Sequence, residues 1–85
     1  MKIEYEVGAR IWLRALPPHI QERIFEKMRF FALQPDPRVF AKFIVTSKYR
    51  LYRFRIGKYR IFCELKDNNL SVAFIEPRDK AYKKS

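Results

Sequence analysis

The sequence predicts a single two-layer α+β domain, and two patterns support that class. Apolar residues at helical spacing occupy the first half of the chain, whereas apolar and polar residues alternate in the second half. A length of 85 residues allows one domain with one modest core, which we expect to span residues 1–85. The expected order is an N-terminal strand, a helical hairpin and a three-stranded antiparallel meander, β-α-α-β-β-β.

The N-terminal half contains the predicted strand and helices. Residues 2–7 alternate between apolar and charged side chains, which predicts a short strand. Residues 9–16 place Trp12 and Leu13 on one apolar stripe, so we expect a short helix with Trp12 in the core. A second helix is predicted over residues 18–33, because Pro18 suits a first turn and the apolar residues that follow recur at helical spacing. The two helices should form an αα-hairpin, with His19 solvated in the first turn of the second helix.

The C-terminal half predicts the meander. Residues 38–48 show no dominant period and are interpreted as a connection into the first long strand. Strands are expected over residues 49–55, 58–65 and 70–76, with turns at Gly57 and at residues 66–69. The side chains predicted to share the face under the helices are Tyr52, Phe54, Ile61, Cys63, Leu65, Val72 and Phe74.

The opposite face of the meander is predicted to be strongly basic. Six positive and no negative residues fall between Lys48 and Arg60. Arg53 and Arg55 alternate with the aromatic positions, and the return strand brings Arg60 beside them. Arginines crowded on one face repel one another, and their guanidinium groups suit phosphate, so the pattern favours an anionic partner.

The overall composition favours nucleic acid as that partner. The formal net charge is +10, of which residues 43–85 contribute +7. An anionic membrane is less favoured, because the positive residues follow a strand and not an amphipathic helix. A surplus of charge that serves only solubility is the plain alternative.

The counts of special residues exclude several kinds of site. One Cys and one His exclude a zinc cluster and a disulfide framework, and two Gly exclude a glycine-rich phosphate loop. We therefore expect no metal and no small-molecule cofactor. No apolar run approaches about 18 residues and no signal peptide is visible, so no membrane association is expected. A free Cys63 in an apolar strand pattern fits a buried thiol in a reducing cytoplasm.

Two stretches of the chain resemble the RelE family of toxins from type II toxin–antitoxin modules, within the RelE/ParE superfamily. The first reads Leu-Tyr-Arg-Phe-Arg-Ile-Gly-Lys-Tyr-Arg over residues 51–60, and the second combines Pro77 and Arg78 with Ala81 and Tyr82. The resemblance covers nearly the whole chain and is closest to the mRNA interferases. Leu51 departs from the pattern, since some members carry a basic residue there.

The resemblance implies a cytoplasmic endoribonuclease that cuts mRNA in the ribosomal A site and is neutralised by a cognate antitoxin. It implies that Arg53 lies near the scissile phosphate, that Arg60 and Arg78 hold this phosphate and stabilise the transition state, and that Tyr82 stacks on or orients a substrate base. Attack by the RNA 2′-OH needs no protein nucleophile and no metal. Tyr82 is then the candidate acid–base group, although Glu76 is close in sequence.

Other basic residues are candidates for general attraction to RNA phosphates. These are Lys48, Arg50, Arg55, Lys58, Lys80, Lys83 and Lys84. Arg55 can equally be solvated or face an antitoxin, and the last three lysines can form a simple basic tail. Two other functions stay open at this point. One is a ParE-like inhibitor of DNA gyrase without nuclease activity, and the other is a non-catalytic basic RNA-binding domain.

Overall fold

The fold is described here from a computed structural model, which describes residues 1–78. Its two α-helices and five strands follow one another along the chain, with one 3₁₀ turn between them. In order they are β1 (Lys2–Tyr5), α1 (Val7–Arg14), α2 (Pro18–Leu33), the 3₁₀ turn (Pro37–Phe40), β2 (Lys42–Val45), β3 (Arg50–Ile56), β4 (Tyr59–Lys66) and β5 (Asn69–Pro77). The predicted α+β class is confirmed, and the sheet has one strand more than predicted.

The five strands form one mixed sheet in the order β1-β5-β4-β3-β2. Strands β2 to β5 are antiparallel neighbours joined by short turns, whereas β1 pairs in parallel with β5. The β3–β4 turn places Gly57 at a φ of 59°, a left-handed conformation that glycine adopts without steric cost. The parallel β1–β5 pair adds β1 to one edge of the sheet through contacts between residues far apart in sequence.

Both helices pack on one face of this sheet and form the core with it. Ile24 and Met28 of α2 are fully buried, as the helical spacing predicts. The ring of Phe31 stacks on that of Phe54 in β3, with centroids 4.7 Å apart. Trp12 is half-buried against the same core, so it does not form an exposed stacking surface. The core therefore lies between the helices and the inner sheet face.

The boundary between the first strand and the first helix differs from the prediction. Val7 was expected in the strand, but it is the first residue of α1 and its side chain is 65% exposed. Glu6 has extended backbone and its carbonyl accepts a hydrogen bond from the Arg10 amide, 3.0 Å away. Glu6 and Val7 continue the alternation of charged and apolar residues past Tyr5, so the predicted strand was too long. Val7 occupies an exposed position of α1, where its apolar side chain does not indicate a strand.

Strand β2 corrects the interpretation of residues 38–48 as a connection. The strand is at the sheet edge and almost entirely exposed, so its sequence carries no inside–outside alternation that would reveal it. The 3₁₀ turn before it is held by Asp36, whose carboxylate accepts hydrogen bonds from the backbone and the guanidinium of Arg38. The guanidinium hydrogen bonds lower the pKa of the Asp36 carboxyl.

A β-bulge in β5 overturns the prediction that Phe74 faces the core. Cys63 pairs with Val72, whereas the preceding Phe62 pairs with Phe74, so Ala73 is an extra residue in β5. The extra residue reverses the alternation of inside and outside positions. Val72 remains buried, and Phe74 turns to the outer face with 37% of its surface exposed.

Candidate functional site

The outer face of the sheet, turned away from the helices, carries the arginines of β3 and β4. We call it the arginine face. Arg55 lies directly opposite Arg60 across the β3–β4 hairpin, and Arg53 lies opposite Phe62. On its other side Arg53 pairs with Lys42 of β2. Strand alternation therefore collects these cations on one surface, while Phe54 and Ile56 point into the core.

A groove with a volume of about 700 Å³ lies among these cations. Its charged lining residues are Lys42, Arg53, Arg55, Arg60 and Arg78, and the rest of the wall comes from residues 39–41. Arg78 reaches the groove because the β4–β5 pairing continues past Pro77. Its backbone N–H donates a hydrogen bond of 2.6 Å to the carbonyl of Lys58. Five cationic side chains from four separate segments thus surround one concave surface.

The groove is positive and only partly shielded from water. Arg53, Arg60 and Arg78 are half-buried, whereas Lys42 and Arg55 are exposed. An ion pair joins Asp36 and Arg38 outside the groove lining. Glu76, half-buried in β5, lies opposite Arg60 in the strand pairing and is the carboxylate nearest in register to the cations. Guanidinium groups grouped in this way are suited to binding a phosphate.

The structure brings together only some of the residues predicted to contact RNA. Arg53, Arg55, Arg60 and Arg78 line the groove together. The remaining described candidates lie elsewhere: Lys48 in the β2–β3 connection, Arg50 on the opposite sheet face beside Val45, and Lys58 in the β3–β4 turn. The predicted Tyr82, Lys80, Lys83 and Lys84 lie outside the described residues.

Sequence reasoning missed Lys42 and passed over Glu76. Lys42 joins the groove through its pairing with Arg53, which becomes visible only once β2 is recognised as a strand. The signal available in the sequence was weak, since three of the four residues of this edge strand are exposed and no residue of it is fully buried. Glu76 was noted for its nearness in sequence, and the strand register is what sets it opposite Arg60.

The other groups with shifted pKa values lie away from the groove. Burial raises the pKa of the Cys63 thiol, and the carboxylate of Glu6 adds to the effect. Burial also raises the pKa of Tyr5 to about 12, with a smaller contribution from Cys63. Among the described residues, no group of three or more His, Cys, Asp or Glu side chains is arranged to hold a metal ion. The described helices include none long and apolar enough to cross a membrane.

Solved structures with the same fold come from toxin–antitoxin complexes. The chain superposes on one from the RelBE2 complex of Mycobacterium tuberculosis with a TM-score of 0.76 and 23% identity, covering 91% of this chain and 90% of that one. For the archaeal RelE–RelB complex of Pyrococcus horikoshii the TM-score is 0.71 at 24% identity, with coverages of 93% and 96%. For the Escherichia coli RelBE complex it is 0.69 at 14% identity, with coverages of 89% and 94%.

Sequence comparisons add no closer relationship. No family model matches the chain, and no curated protein sequence is significantly similar to it. The structural likeness nevertheless spans almost the whole of both chains in each comparison. This chain has the fold of the RelE toxins.

Proposed function

We propose that this protein is the toxin of a toxin–antitoxin system and that it cuts mRNA on the ribosome. The observation that carries the proposal is the groove in which four arginines and Lys42 converge on a RelE-like fold. A cluster of that composition has no structural use within the sheet, because like charges on neighbouring strands destabilise it. It is suited to an extended polyanion, which an RNA strand supplies.

The proposed reaction uses the RNA's own nucleophile. The ribose 2′-OH attacks the adjacent phosphorus, the bond from phosphorus to the 5′-oxygen breaks, and the products carry a 2′,3′-cyclic phosphate and a 5′-OH. One proton leaves the 2′-oxygen and one is added to the departing 5′-oxygen. Arg60 and Arg78 bind the non-bridging phosphate oxygens, whose negative charge grows in the transition state, while Arg53 holds the strand in line for attack.

Proton transfer needs groups other than the arginines, because a guanidinium stays protonated at any ordinary pH. Glu76 is the proposed acceptor of the 2′-OH proton, because it is the cross-strand partner of Arg60 on the arginine face. Tyr82, which lies outside the described residues, is the proposed donor to the leaving oxygen. An open groove with few acid–base groups favours a reaction in which the ribosome positions the mRNA, and no metal is required by this route.

The proposed inhibitor is a cognate antitoxin that covers the groove with acidic side chains. The similar structures are themselves toxin–antitoxin complexes, as their RelB partners indicate. A partner of opposite charge should associate faster at low ionic strength, because the net charge of +10 steers it over long distances. Stopped-flow association measured between low and physiological salt tests this, and an association rate indifferent to salt would contradict a charge-led complex.

The protein is proposed to act in the cytoplasm. Its expression in cells without the antitoxin tests whether translation is its target. Pulse labelling should show that protein synthesis stops first while DNA synthesis continues. Expression of an Arg60→Ala variant to the same level should leave growth unaffected. Unchanged protein synthesis with blocked replication would instead indicate the gyrase-inhibiting alternative. Mapping of mRNA ends on stalled ribosomes then shows whether translation stops because codons in the A site are cut.

A further inference from the structure

One row of side chains on the arginine face changes from basic to aromatic as it crosses the sheet. Its members are successive partners in the strand pairing from β2 to β5: Lys42, Arg53, Phe62 and Phe74. Neighbouring strands lie about 4.8 Å apart, so the backbones of Arg53 and Phe74 are separated by about 10 Å. A strand of RNA whose phosphate lies among the arginines therefore passes within reach of Phe74.

Phe74 is on this face because of the β-bulge at Ala73. An exposed phenylalanine gains little from the hydrophobic effect, and a regular strand would have directed the ring into the core. The rings of Phe62 and Phe74 stack with centroids 4.6 Å apart and an interplanar angle of 17°. Phe62 thus covers one side of the Phe74 ring and holds it in place. The remaining side is left for contact with something else.

Phe74 also lines another cavity, of about 330 Å³. Besides Phe74 and Ala73, the wall of this cavity consists of Glu6, Gly8, Tyr49, Leu51 and Glu64. Tyr49 is half exposed, and Leu51 lies beneath the cavity with 4% of its surface exposed. Leu51 is on the arginine face by strand alternation, two residues from Arg53. An apolar and aromatic surface with an open mouth therefore adjoins the phosphate groove.

The charges of this cavity are opposite to those of the groove. Its two acidic residues are Glu6 and Glu64, and Ser71 Oγ donates a 3.0 Å hydrogen bond to Glu6 Oε2. Carboxylates repel a phosphate, so the RNA backbone stays over the arginines. They accept hydrogen bonds from amino groups, which adenine, cytosine and guanine carry on their ring edges and uracil lacks.

We propose that this cavity is a nucleobase subsite, in which a base of the bound RNA stacks against Phe74 beside the phosphate held by the arginines. The proposal rests on the proposed RNA-cutting function and adds to it a positioning residue and a base preference. The subsite favours a base with an exocyclic amino group over uracil. Aromatic side chains beside a positive groove are the arrangement by which proteins hold single-stranded nucleic acid.

The test uses the full-length chain and a short single-stranded RNA whose 2′-oxygens are all methylated, so that it binds without being cut. 2-Aminopurine is placed at each position in turn, and its fluorescence is measured at saturating protein. One position should be quenched by stacking. Phe74→Ala should abolish that quenching and weaken binding about 5- to 150-fold. Phe74→Trp should retain both, and uracil at the quenched position should weaken binding.

Two variants serve as controls for this test. Phe43→Ala removes an exposed aromatic ring of β2 on the opposite sheet face, and it should change neither affinity nor quenching. Arg60→Ala should weaken binding but leave the quenching intact once the protein is saturated. Circular dichroism melts of each variant establish that the chain is folded under the binding conditions.

Several results would overturn the subsite. Unchanged affinity and quenching in Phe74→Ala would remove Phe74 from the RNA site, even if RNA cleavage and its dependence on Arg60 were intact. A Phe74→Ala variant that loses affinity only for an antitoxin would assign the cavity to that interface instead. A wild-type chain that binds no RNA, either free or on ribosomes, would overturn both the subsite and the proposed function.

Discussion

Arg55 and Arg60 face each other directly across the β3–β4 hairpin, with a guanidinium on each strand and the same charge on both. Cross-strand pairs of opposite charge stabilise a sheet, and like charges in that position destabilise it by about 0.2–1 kcal/mol. The pair is therefore a cost to the free protein that a bound anion removes. The repulsion between Arg55 and Arg60 can therefore be measured as a change in the free energy of unfolding, without an assay of activity.

Replacing Arg55 by Gln should stabilise the free protein at low salt. The expected gain is about 0.2–1 kcal/mol, since the neutral amide removes the repulsion and keeps a long polar side chain at an exposed position. The gain should shrink as salt screens the charges. Urea denaturation at low and at high ionic strength measures it, with Arg50→Gln on the opposite face as the matched control. Equal stability of Arg55→Gln and wild type at low salt would show that the two guanidinium groups avoid each other.

Arg60→Ala and Arg78→Ala should slow cleavage more than they weaken binding to the ribosome. Both side chains are proposed to contact charge that grows only in the transition state, and loss of such a donor costs about 10²–10³ in rate. Arg60→Lys should also be slow, because an ammonium cannot make a two-pronged contact with phosphate. Single-turnover cleavage on programmed ribosomes with saturating protein provides the measurement. Arg14→Ala, an exposed change on α1, should cleave like wild type. If Arg60→Ala and Arg78→Ala both cleave at the wild-type rate, the two arginines serve only to bind the substrate.

Lys42→Ala and Lys48→Ala should behave differently, although they remove the same charge. Lys42 lines the groove, so its loss should weaken RNA binding and lower the slope of log affinity against log salt by about one. Lys48 lies in the β2–β3 connection, outside the groove lining, and its loss should change the slope much less. Fluorescence anisotropy of an uncleavable RNA over a series of salt concentrations separates the two. Identical slopes for both variants would mean that the RNA follows the net charge and not the groove.

Tyr5→Phe should make stability less sensitive to alkaline pH. Burial raises the pKa of the Tyr5 hydroxyl in the folded protein to about 12, whereas the same group ionises near 10 in an unfolded chain. The folded state retains this proton where the unfolded state has lost it, so the contribution to stability is complete below pH 10 and is lost between pH 10 and 12. The denaturant midpoint of wild type should therefore fall relative to that of the variant over that interval. A difference that stays constant from pH 9 to 11.5 would contradict a buried, protonated Tyr5.

The sequence predicted the arginine face well because two independent signals agreed there. Period-two alternation placed Arg53 and Arg55 on the sheet face that Phe54 does not occupy. The turn at Gly57 then returned the chain so that Arg60 lies on the same face as the two arginines. Burial of the aromatic side fixes the register of a strand, since a slip of one residue would expose the core. The second helix was equally predictable, because proline marks its start and apolar spacing marks its buried face.

The missed features are those that leave no alternation in the sequence. Lys42 belongs to an edge strand that is exposed on both faces, so nothing in its neighbourhood distinguishes strand from loop. Phe74 follows a bulge, and the single extra residue Ala73 is invisible to any rule that counts in steps of two. Both residues take part in the outer face of the sheet. The sequence patterns thus failed where a strand is exposed at the sheet edge and where a bulge interrupts the alternation.

The parallel pairing of β1 with β5 has a consequence for how the protein is made. Lys2 pairs with Asn69 and Tyr5 with Val72, so β1 has no neighbouring strand until β5 has been synthesised. Contacts between such distant residues form late and slow the folding of a chain. The same last strand supports Arg60 through its pairing and leads into Arg78. A growing chain therefore lacks an assembled groove until β5 and Arg78 have been synthesised and have left the ribosome.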